Sequence, residues 1–400
     1  MKQEVKIGVI GLGSRGRSLL RSPFLIHPDV TVAAVCDVYE DRVTEAAAYV
    51  EQERGQRPVE TTDYKDILQM AEIDAVLVCT AWENHVNVAI AAMEAGKYVG
   101  LEVGGAYSLQ ECWDLVRTHE RTQVPVMLME NCCYGRDEMM LLNMVRLGAL
   151  GEVVHCAGGY HHDLRGEISF GKENRHYRLR NYIHKNCENY PTHELGPIAK
   201  ILGINHGNQM LTLTSMASKA RGLSTYIAQE KPDDEKLKST EFKQGDIVNT
   251  IIQCAGGETI LLTLDTTLPR YYSRGLQVRG TLGMYSEDSH SIFLDSQHRA
   301  MEFGWPGNNV DEYRDQYEHP VWQRYIEEGV KEGHDGMDWL VFSDFIRAVQ
   351  NKTQTPIDVY DTAAWMCIST LSEQSIAMGG QPVPIPDFTN GKWVLRTEEA

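Results

Sequence analysis

Residues 7–16, IGVIGLGSRG, constrain this chain more tightly than any other stretch. Ile7, Val9 and Ile10 form an apolar run that predicts a strand buried on both faces, as in a parallel sheet. The run leads directly into Gly11-Leu-Gly-Ser-Arg-Gly16, a strict G-x-G-x-x-G. In such a loop Gly11 allows the tight turn out of the strand. Gly13 keeps a side chain away from an approaching pyrophosphate, and Gly16 lets the next helix pack closely with its N-terminal amides facing the anion. A helix-like segment, Arg17–Arg21, follows, and Val30–Asp37 reads as a second buried strand ending in an acid. Asp37 stands roughly twenty residues beyond the last glycine, where a carboxylate accepts hydrogen bonds from ribose hydroxyls. It would repel a 2′-phosphate, which favours NAD over NADP, although Arg15 and Arg42 are the nearby cations able to receive that phosphate.

Composition narrows the rest. Four hundred residues, 42% hydrophobic and 24% charged, describe a globular chain of about two or three domains that needs no staples to bury a core. A formal charge of −18 argues against nucleic acid or an anionic membrane as partner. No apolar run is long enough to span a bilayer, and the first residues enter a strand at once, leaving no room for a signal peptide and predicting a cytoplasmic location. The nine cysteines are scattered without a C-x-x-C pair, so neither structural zinc nor a disulfide framework is expected.

The first third alternates strand and helix patterns, the signature of a doubly wound parallel sheet. Expected elements are a helix over 40–53, a unit starting near Asp63, a strand over 74–80, a helix over 85–95 ending at Gly96, a strand over 97–102, a helix over 109–120 and a closing strand over 124–129. Trp82-Glu-Asn-His85 and Glu130-Asn131 fall at the carboxyl ends of strands, where such sheets hold ligands. A helix over 137–147 follows. From Gly151 β-like segments dominate, at 152–160, 210–216, 247–255, 259–265, 275–279 and 284–286, with hairpins at Ala255–Glu258 and Gly280–Gly283. Residues 228–245 read as a surface loop or short helix, and helices are expected over 336–350 and 361–378. The fold class is therefore α/β: a Rossmann domain over 1–135, then an α+β domain over 136–400 with an open, mostly antiparallel sheet whose final helices pack back on the first domain.

Polar aromatic residues and histidines crowd the start of that second domain: Tyr160-His-His-Asp-Leu-Arg165, Tyr177-Arg-Leu-Arg180 and Asn189-Tyr-Pro-Thr-His-Glu-Leu-Gly-Pro197. The last opens a helix, with Thr192 or Asn189 as its cap and His193 in or near the first turn. The positive end of the helix dipole favours the neutral imidazole that a general base needs. Against this, a lone histidine is commonly a hydrogen-bonded core residue, and Arg178 and Arg180 serve equally as ion-pair partners in an acidic chain. His161, His162 and Asp163 alternate across a strand and so predict no metal site. Tyr271-Tyr-Ser-Arg274 and His334-Asp-Gly-Met-Asp338 read as structural on their own.

Taken together, these motifs resemble the Gfo/Idh/MocA oxidoreductases. Most of that superfamily carries Glu-Lys-Pro after a G-K-x-V strand, with the lysine serving hydride-transfer chemistry. Here the stretch is Gly96-Lys-Tyr-Val-Gly-Leu-Glu102-Val103-Gly104, and valine replaces the lysine. Glu-Val at this place is similar to glycoside hydrolase family 109, the NAD-dependent α-N-acetylgalactosaminidase family. The similarity continues through Trp82–His85, Glu130–Gly135, Glu138–Met140, Asn143–Arg146, His162–Arg165, Tyr190–His193, Leu195–Pro197, Tyr272–Arg274, Gly336–Asp338 and Ile385–Phe388.

The resemblance implies a redox-assisted glycosidase with tightly bound, recycled NAD, acting on a small carbohydrate and forming homo-oligomers. Sugar C3 is oxidised, the C1 substituent leaves by elimination across C1–C2, water adds, and C3 is reduced again; opposed carboxylates are not needed. Gly11, Gly13, Ser14, Arg15, Gly16, Asp37, Trp82, His85, Glu102, Val103 and Asn131 are then expected at NAD, with Arg178. Tyr160, Arg180, Tyr190, His193 and Tyr272 are expected around the sugar, Arg178 being the alternative to Arg180 there. His193, Tyr190 and Tyr160 are the candidates for proton transfer. The rival readings are a sugar or inositol dehydrogenase that accumulates NADH, against which Val103 counts, and a non-catalytic NAD-dependent sugar sensor.

Overall fold

A computed structural model describes residues 4–300, 304–305, 307–331 and 333–397; the first three residues of the N-terminal stretch read above lie outside them. The chain divides into two compact units. One is built from the residues up to Gly135 together with Glu328–Ala364, the other from Arg136–Glu327 together with the residues from Trp365.

In the first unit the strand and helix alternation follows from apolar tetrads and hexads separated by amphipathic segments. The elements are β1 (Val5–Ile10), α1 (Ser14–Arg21), β2 (Val30–Cys36), α2 (Glu40–Arg54), β3 (Val59–Thr61), α3 (Tyr64–Gln69), β4 (Ala75–Val78), α4 (Trp82–Glu94), β5 (Tyr98–Leu101), α5 (Leu109–Thr122) and β6 (Val126–Leu128). All neighbours pair in parallel, in the order β3-β2-β1-β4-β5-β6. The winding reverses between β1 and β4, and a doubly wound sheet offers its ligand crevice beyond the carboxyl ends at that point. β4 and β6 are buried along their whole length, which explains their uninterrupted apolar sequence. Local chemistry sets helix starts: the Asp63 carboxylate accepts from the Lys65 amide, and Ser108 with Glu111 forms a capping box on α5.

The helix Met337–Asn351 also belongs to this unit, although some two hundred residues separate it from β6. Leu340, Val341, Phe342, Phe345 and Ile346 are buried on it, and the Phe342 ring centroid lies 4.0 Å from that of Phe24. Burial of a phenylalanine of this kind contributes about 2 kcal/mol.

The second unit carries an eight-stranded sheet. Its leading elements are α6 (Arg136–Arg146), β7 (Val153–His161), α7 (Arg165–Ser169), α8 (Arg178–His184), α9 (Thr192–Ile201) and β8 (Met210–Ala217). β9 (Ile247–Cys254), β10 (Thr259–Asp265), β11 (Gln277–Gly280), β12 (Gly283–Ser286), β13 (Ser291–Leu294) and β14 (Val383–Pro384) complete it, in the order β13-β12-β11-β7-β10-β9-β8-β14. β7 and β10 run parallel and the other neighbours antiparallel, so the sheet is mixed with one parallel pair at its centre. The expected hairpins at 255–258 and 280–283 are present. β9 alternates strictly, with Val248, Thr250, Ile252 and Cys254 buried and Asn249, Ile251 and Gln253 exposed. α9 approaches β7 at Gly158, where a Cβ would stand 2.0 Å from Glu194 Cγ. Only glycine permits that approach. All nine cysteines are free thiols.

Three differences from the sequence reading have physical causes. β3 and β14 span three and two residues, too short for a period-two pattern to register. α4 begins at Trp82, not His85, because the Trp82 indole is buried rather than left in a polar loop. Neither Thr192 nor Asn189 caps α9: Pro191 holds the cap position without a side-chain bond, while the Asn189 amide donates to Gln244 Oε1 at 3.2 Å. Among the described residues no helix is long and apolar enough to cross a membrane.

Candidate active site

The glycine loop has the geometry its spacing implies. Gly11 takes φ +98°, and a Cβ there would lie 2.4 Å from the Cys79 carbonyl oxygen. A Cβ on Gly16 would lie 2.0 Å from the Gly11 carbonyl oxygen, so that glycine seats α1 against the loop. Gly13, the N-cap of α1, differs from both: a Cβ would meet only an Arg42 guanidinium nitrogen, at 3.8 Å. The space above Gly13 is the kind of cradle a dinucleotide pyrophosphate fills, with Ser14 exposed at the first helical position.

Asp37 anchors the loop as well as closing β2. Its Oδ2 accepts the Leu12 amide at 2.7 Å and its Oδ1 accepts the Tyr39 amide at 3.0 Å. Each carboxylate oxygen retains a further acceptor site for ribose hydroxyls. Arg42 lies 3.6 Å from Asp37 and over the Tyr39 ring at 4.8 Å, so this cation is already neutralised beside the carboxylate.

At the carboxyl ends of β4 and β5, His85 Nε2 lies 2.8 Å from the Thr80 carbonyl while Nδ1 is buried without a partner among the described residues. Burial pulls the His85 pKa down to about 4, so the ring is neutral with an orphaned acceptor. Trp82 Nε1 donates to the Val103 carbonyl at 3.2 Å, and Gly104 lies so close that a Cβ would strike the indole. An orphaned buried acceptor beside an unfilled glycine cradle fits a dinucleotide. Arg15 is held by two carboxylates. It pairs with Glu102 through Nε at 3.2 Å and with Asp338 through two bonds of 2.8 Å. Asn131 donates to the same Asp338 at 2.8 Å.

The second unit assembles a polar aromatic cluster. Tyr160 comes from the end of β7, on the Gly158 face, while Tyr190 and His193 flank the start of α9. The Tyr160 and Tyr190 rings are 4.4 Å apart; His193 lies 4.7 Å from Tyr190 and 5.4 Å from Tyr160, edge-on to each. His162, two residues past Tyr160 on the same side of the chain, places Nδ1 2.8 Å from the Tyr160 hydroxyl. Its other side meets Tyr272 at 5.1 Å. Burial and the Arg178 charge hold the His162 pKa below its ordinary value, which leaves the imidazole free to accept the tyrosine proton. Arg178 is buried, 2.6 Å from Glu167 and 5.1 Å above the Tyr190 ring. Arg180, two positions along α8, is exposed. Two residues before Tyr190, Glu188 is fully buried, and burial pushes its pKa up to about 8.

A family model described as "Oxidoreductase family, NAD-binding Rossmann fold" matches residues 5–130, and one described as "Glycosyl hydrolase 109, C-terminal domain" matches residues 134–395. The chain belongs to glycosyl hydrolase family 109. It is a glycosidase with an NAD-binding Rossmann domain. A "Glycosyl hydrolase family 109 protein" of Stenotrophomonas maltophilia is 40% identical, the match covering 98% of this chain and 91% of that protein. An "Alpha-N-acetylgalactosaminidase" of Tannerella forsythia is 37% identical over 98% of this chain and 88% of that protein. Among solved structures, levoglucosan dehydrogenase in complex with NADH superposes with a TM-score of 0.69 at 18% identity, covering 96% of this chain and 100% of that one. Scyllo-inositol dehydrogenase from Lactobacillus casei, with NAD(H) and scyllo-inositol, gives 0.65 at 14% identity, covering 96% and 99%. These two structural matches establish the shared fold.

Within this family 109 chain, two participants escaped the sequence reading. His162 stands in the His162–Arg165 motif and in the histidine pair that predicts no metal site, but received no role, although period-two alternation puts it on the Tyr160 side. Asp338 lay in two motifs of the sequence, His334–Asp338 and Gly336–Asp338, but its role did not show there, because Arg15 and Asn131 are 323 and 207 residues away.

Proposed function

We propose that this family 109 enzyme hydrolyses α-N-acetylgalactosaminides through transient oxidation at C3, with its NAD tightly held and returned to its starting state in each cycle. NAD, when bound, supplies hydride acceptance from sugar C3 and hydride return at the end. The glycine loop with Ser14 and Arg15 would hold the pyrophosphate, Asp37 the adenine ribose, and His85, Trp82, Glu102, Val103 and Asn131 the remainder.

The sugar would lie against Tyr160, Tyr190, His193 and Tyr272, with Arg178 or Arg180 toward its polar substituents. The His193 imidazole takes the proton of the C3 hydroxyl. A 3-ketone acidifies the C2 proton, which the Tyr160–His162 pair removes. The C1–O bond then breaks with its electrons going to the aglycone oxygen, and the Tyr190 hydroxyl donates the proton that oxygen needs. Addition of water across C1–C2 retraces these proton transfers, with hydroxide equivalent at C1 and the proton restored to C2. The observation that carries this reading is the Tyr160–His162 hydrogen bond inside a phenol and imidazole cluster of a family 109 unit: it offers a neutral imidazole to take the phenol proton, so that proton transfer next to a ketone needs no opposed carboxylate pair.

The outer face of the second sheet supports self-association. Ile251 and Met216 are 54% and 66% exposed on strands whose other face is buried. Two exposed apolar side chains set among polar neighbours on one sheet face suit contact with a second copy of the same chain.

The testing experiment is a panel of α- and β-linked aryl glycosides of GalNAc, Gal, GlcNAc and Glc in deuterated water. Aglycone release with deuterium at C2 and no accumulating NADH is the expected result for the α-GalNAc substrate. NADH formed in proportion to substrate, without cleavage, would establish a dehydrogenase instead. Ligand-stabilised binding with neither signal would establish a sensor.

A further inference from the structure

We propose that Asp338 is a positioning residue for the cofactor cradle, acting through Arg15 and Asn131; this rests on the reading that the glycine loop holds NAD. Asp338 stands in the first turn of the helix Met337–Asn351, and its side chain is 1% exposed. Both of its oxygens are committed. Oδ1 accepts from Arg15 Nη2 and from Asn131 Nδ2, and Oδ2 accepts from Arg15 Nη1, at 2.8 Å in each case. His334 Nδ1 lies 2.7 Å from Oδ2 and 3.3 Å from Arg15 Nη1. One carboxylate therefore sets the guanidinium that follows the G-x-G and the amide at the tip of β6.

The approach to Asp338 is conformationally demanding. Gly333, His334, Asp335 and Gly336 all take positive φ, of 104°, 43°, 53° and 91°. For His334 and Asp335 this is a sparsely populated backbone that surrounding contacts must enforce. The planar guanidinium is suited to this bidentate hold, which fixes its orientation as well as its place. Without Asp338, Arg15 keeps its ion pair with Glu102 and so is not left as an orphaned charge, but it becomes free to rotate about its Nε. Burial alone would raise the Asp338 pKa, yet the bonds from Arg15 and His334 hold it well below the usual carboxylate range, so the clasp stays ionised throughout the neutral range.

The test is isothermal titration of NAD into cofactor-stripped chain, for the natural protein, Asp338→Asn, Arg15→Met and the double variant, with melting temperature recorded for each. Loss of charge-assisted bonds to a binding residue is expected to weaken NAD about tenfold in Asp338→Asn. In the Arg15→Met background the same substitution is expected to change affinity by less than about threefold, because only the route through Asn131 remains. Equal losses in both backgrounds would mean a merely structural carboxylate and would overturn the proposal, as would unchanged affinity in Asp338→Asn. Should Asp338→Asn prove too unstable to purify, Asp338→Glu in the two backgrounds carries the same comparison, since it retains the charge but displaces the fork by a methylene. Failure of the natural protein to bind NAD would instead overturn the cofactor reading beneath it.

Discussion

The Tyr160 hydroxyl lies 2.8 Å from Nδ1 of His162, Tyr160 being the penultimate residue of β7 and His162 the residue just past its end. A neutral imidazole in that position turns a weakly acidic phenol into a proton carrier, since the proton released by Tyr160 has somewhere to go. His162→Gln is expected to lower kcat on an α-GalNAc aryl glycoside about a hundredfold, within the range for loss of general base assistance. NAD affinity should be unchanged. In the natural enzyme the rate should fall on acidification below the ordinary histidine range, because the His162 pKa is depressed; this limb should vanish in the variant. A full-rate His162→Gln enzyme would remove the histidine from the relay.

Gly13 and Gly16 should separate binding from folding. Gly13→Ala puts its methyl into space bounded only by Arg42, so its melting temperature should stay close to that of the natural protein while NAD affinity falls at least tenfold. Gly16→Ala drives a methyl into the Gly11 carbonyl and should lose about 1–3 kcal/mol of stability. Calorimetry of both proteins decides it, and equal destabilisation would refute the assignment of Gly13 to the cradle.

His85 should limit stability on the acid side. Its pKa falls from an ordinary 6.5 to about 4 in the folded chain. Between those values the unfolded chain binds a proton that the folded chain excludes, so stability is fully present above pH 6.5 and declines as pH falls toward 4. The loss amounts to about 3 kcal/mol. His85→Gln retains a donor for the Thr80 carbonyl without titrating there. Its melting temperature, measured without NAD, should fall less between pH 6.5 and 4 than that of the natural protein.

Glu188 should act in the opposite direction. Burial raises its pKa from an ordinary 4.5 to about 8, so the folded chain keeps a proton that the unfolded chain releases. Stability is fully present below pH 4.5 and is lost as pH rises through 8, at about 1.4 kcal/mol per pH unit in that window. Glu188→Gln keeps an acceptor for the Tyr190 amide, which lies 3.4 Å from Oε1. The variant should gain on the natural protein steadily from pH 5 to pH 8 in thermal melts, and parallel curves would show that Glu188 is ionised.

Self-association through the outer sheet face predicts that charge placed there separates the copies. Ile251→Glu with Met216→Glu lies on exposed positions and should leave the monomer folded. Sedimentation velocity is expected to show an oligomer for the natural protein and a single monomeric species for the variant; an unchanged oligomer would move the interface elsewhere.

Short-range pattern carried the first unit almost completely. The Val5–Ile10 strand, the G-x-G-x-x-G and Asp37 lie within one βαβ unit, so local sterics dictate their geometry, and the tight turn at Gly11 and the close helix packing at Gly16 were legible in the sequence alone. The strict alternation of β9 and the hairpin at 255–258 were legible for the same reason, since a strand with one buried face writes its period into the chain. What tertiary structure decided is the company those residues keep. Asp37 secures the Leu12 amide besides closing β2. The expected cofactor contacts Arg15 and Asn131 are tied together by Asp338, with Glu102 joined through Arg15, and the place of Asp338 is set by a helix that returns to the first unit from far along the chain. Tyr160, Tyr190 and His193 were named separately, but only the close seat of α9 on Gly158 brings their rings within 5.4 Å. Contacts between residues hundreds of positions apart leave no periodic trace, because they depend on where packed elements end and not on the spacing within any one of them.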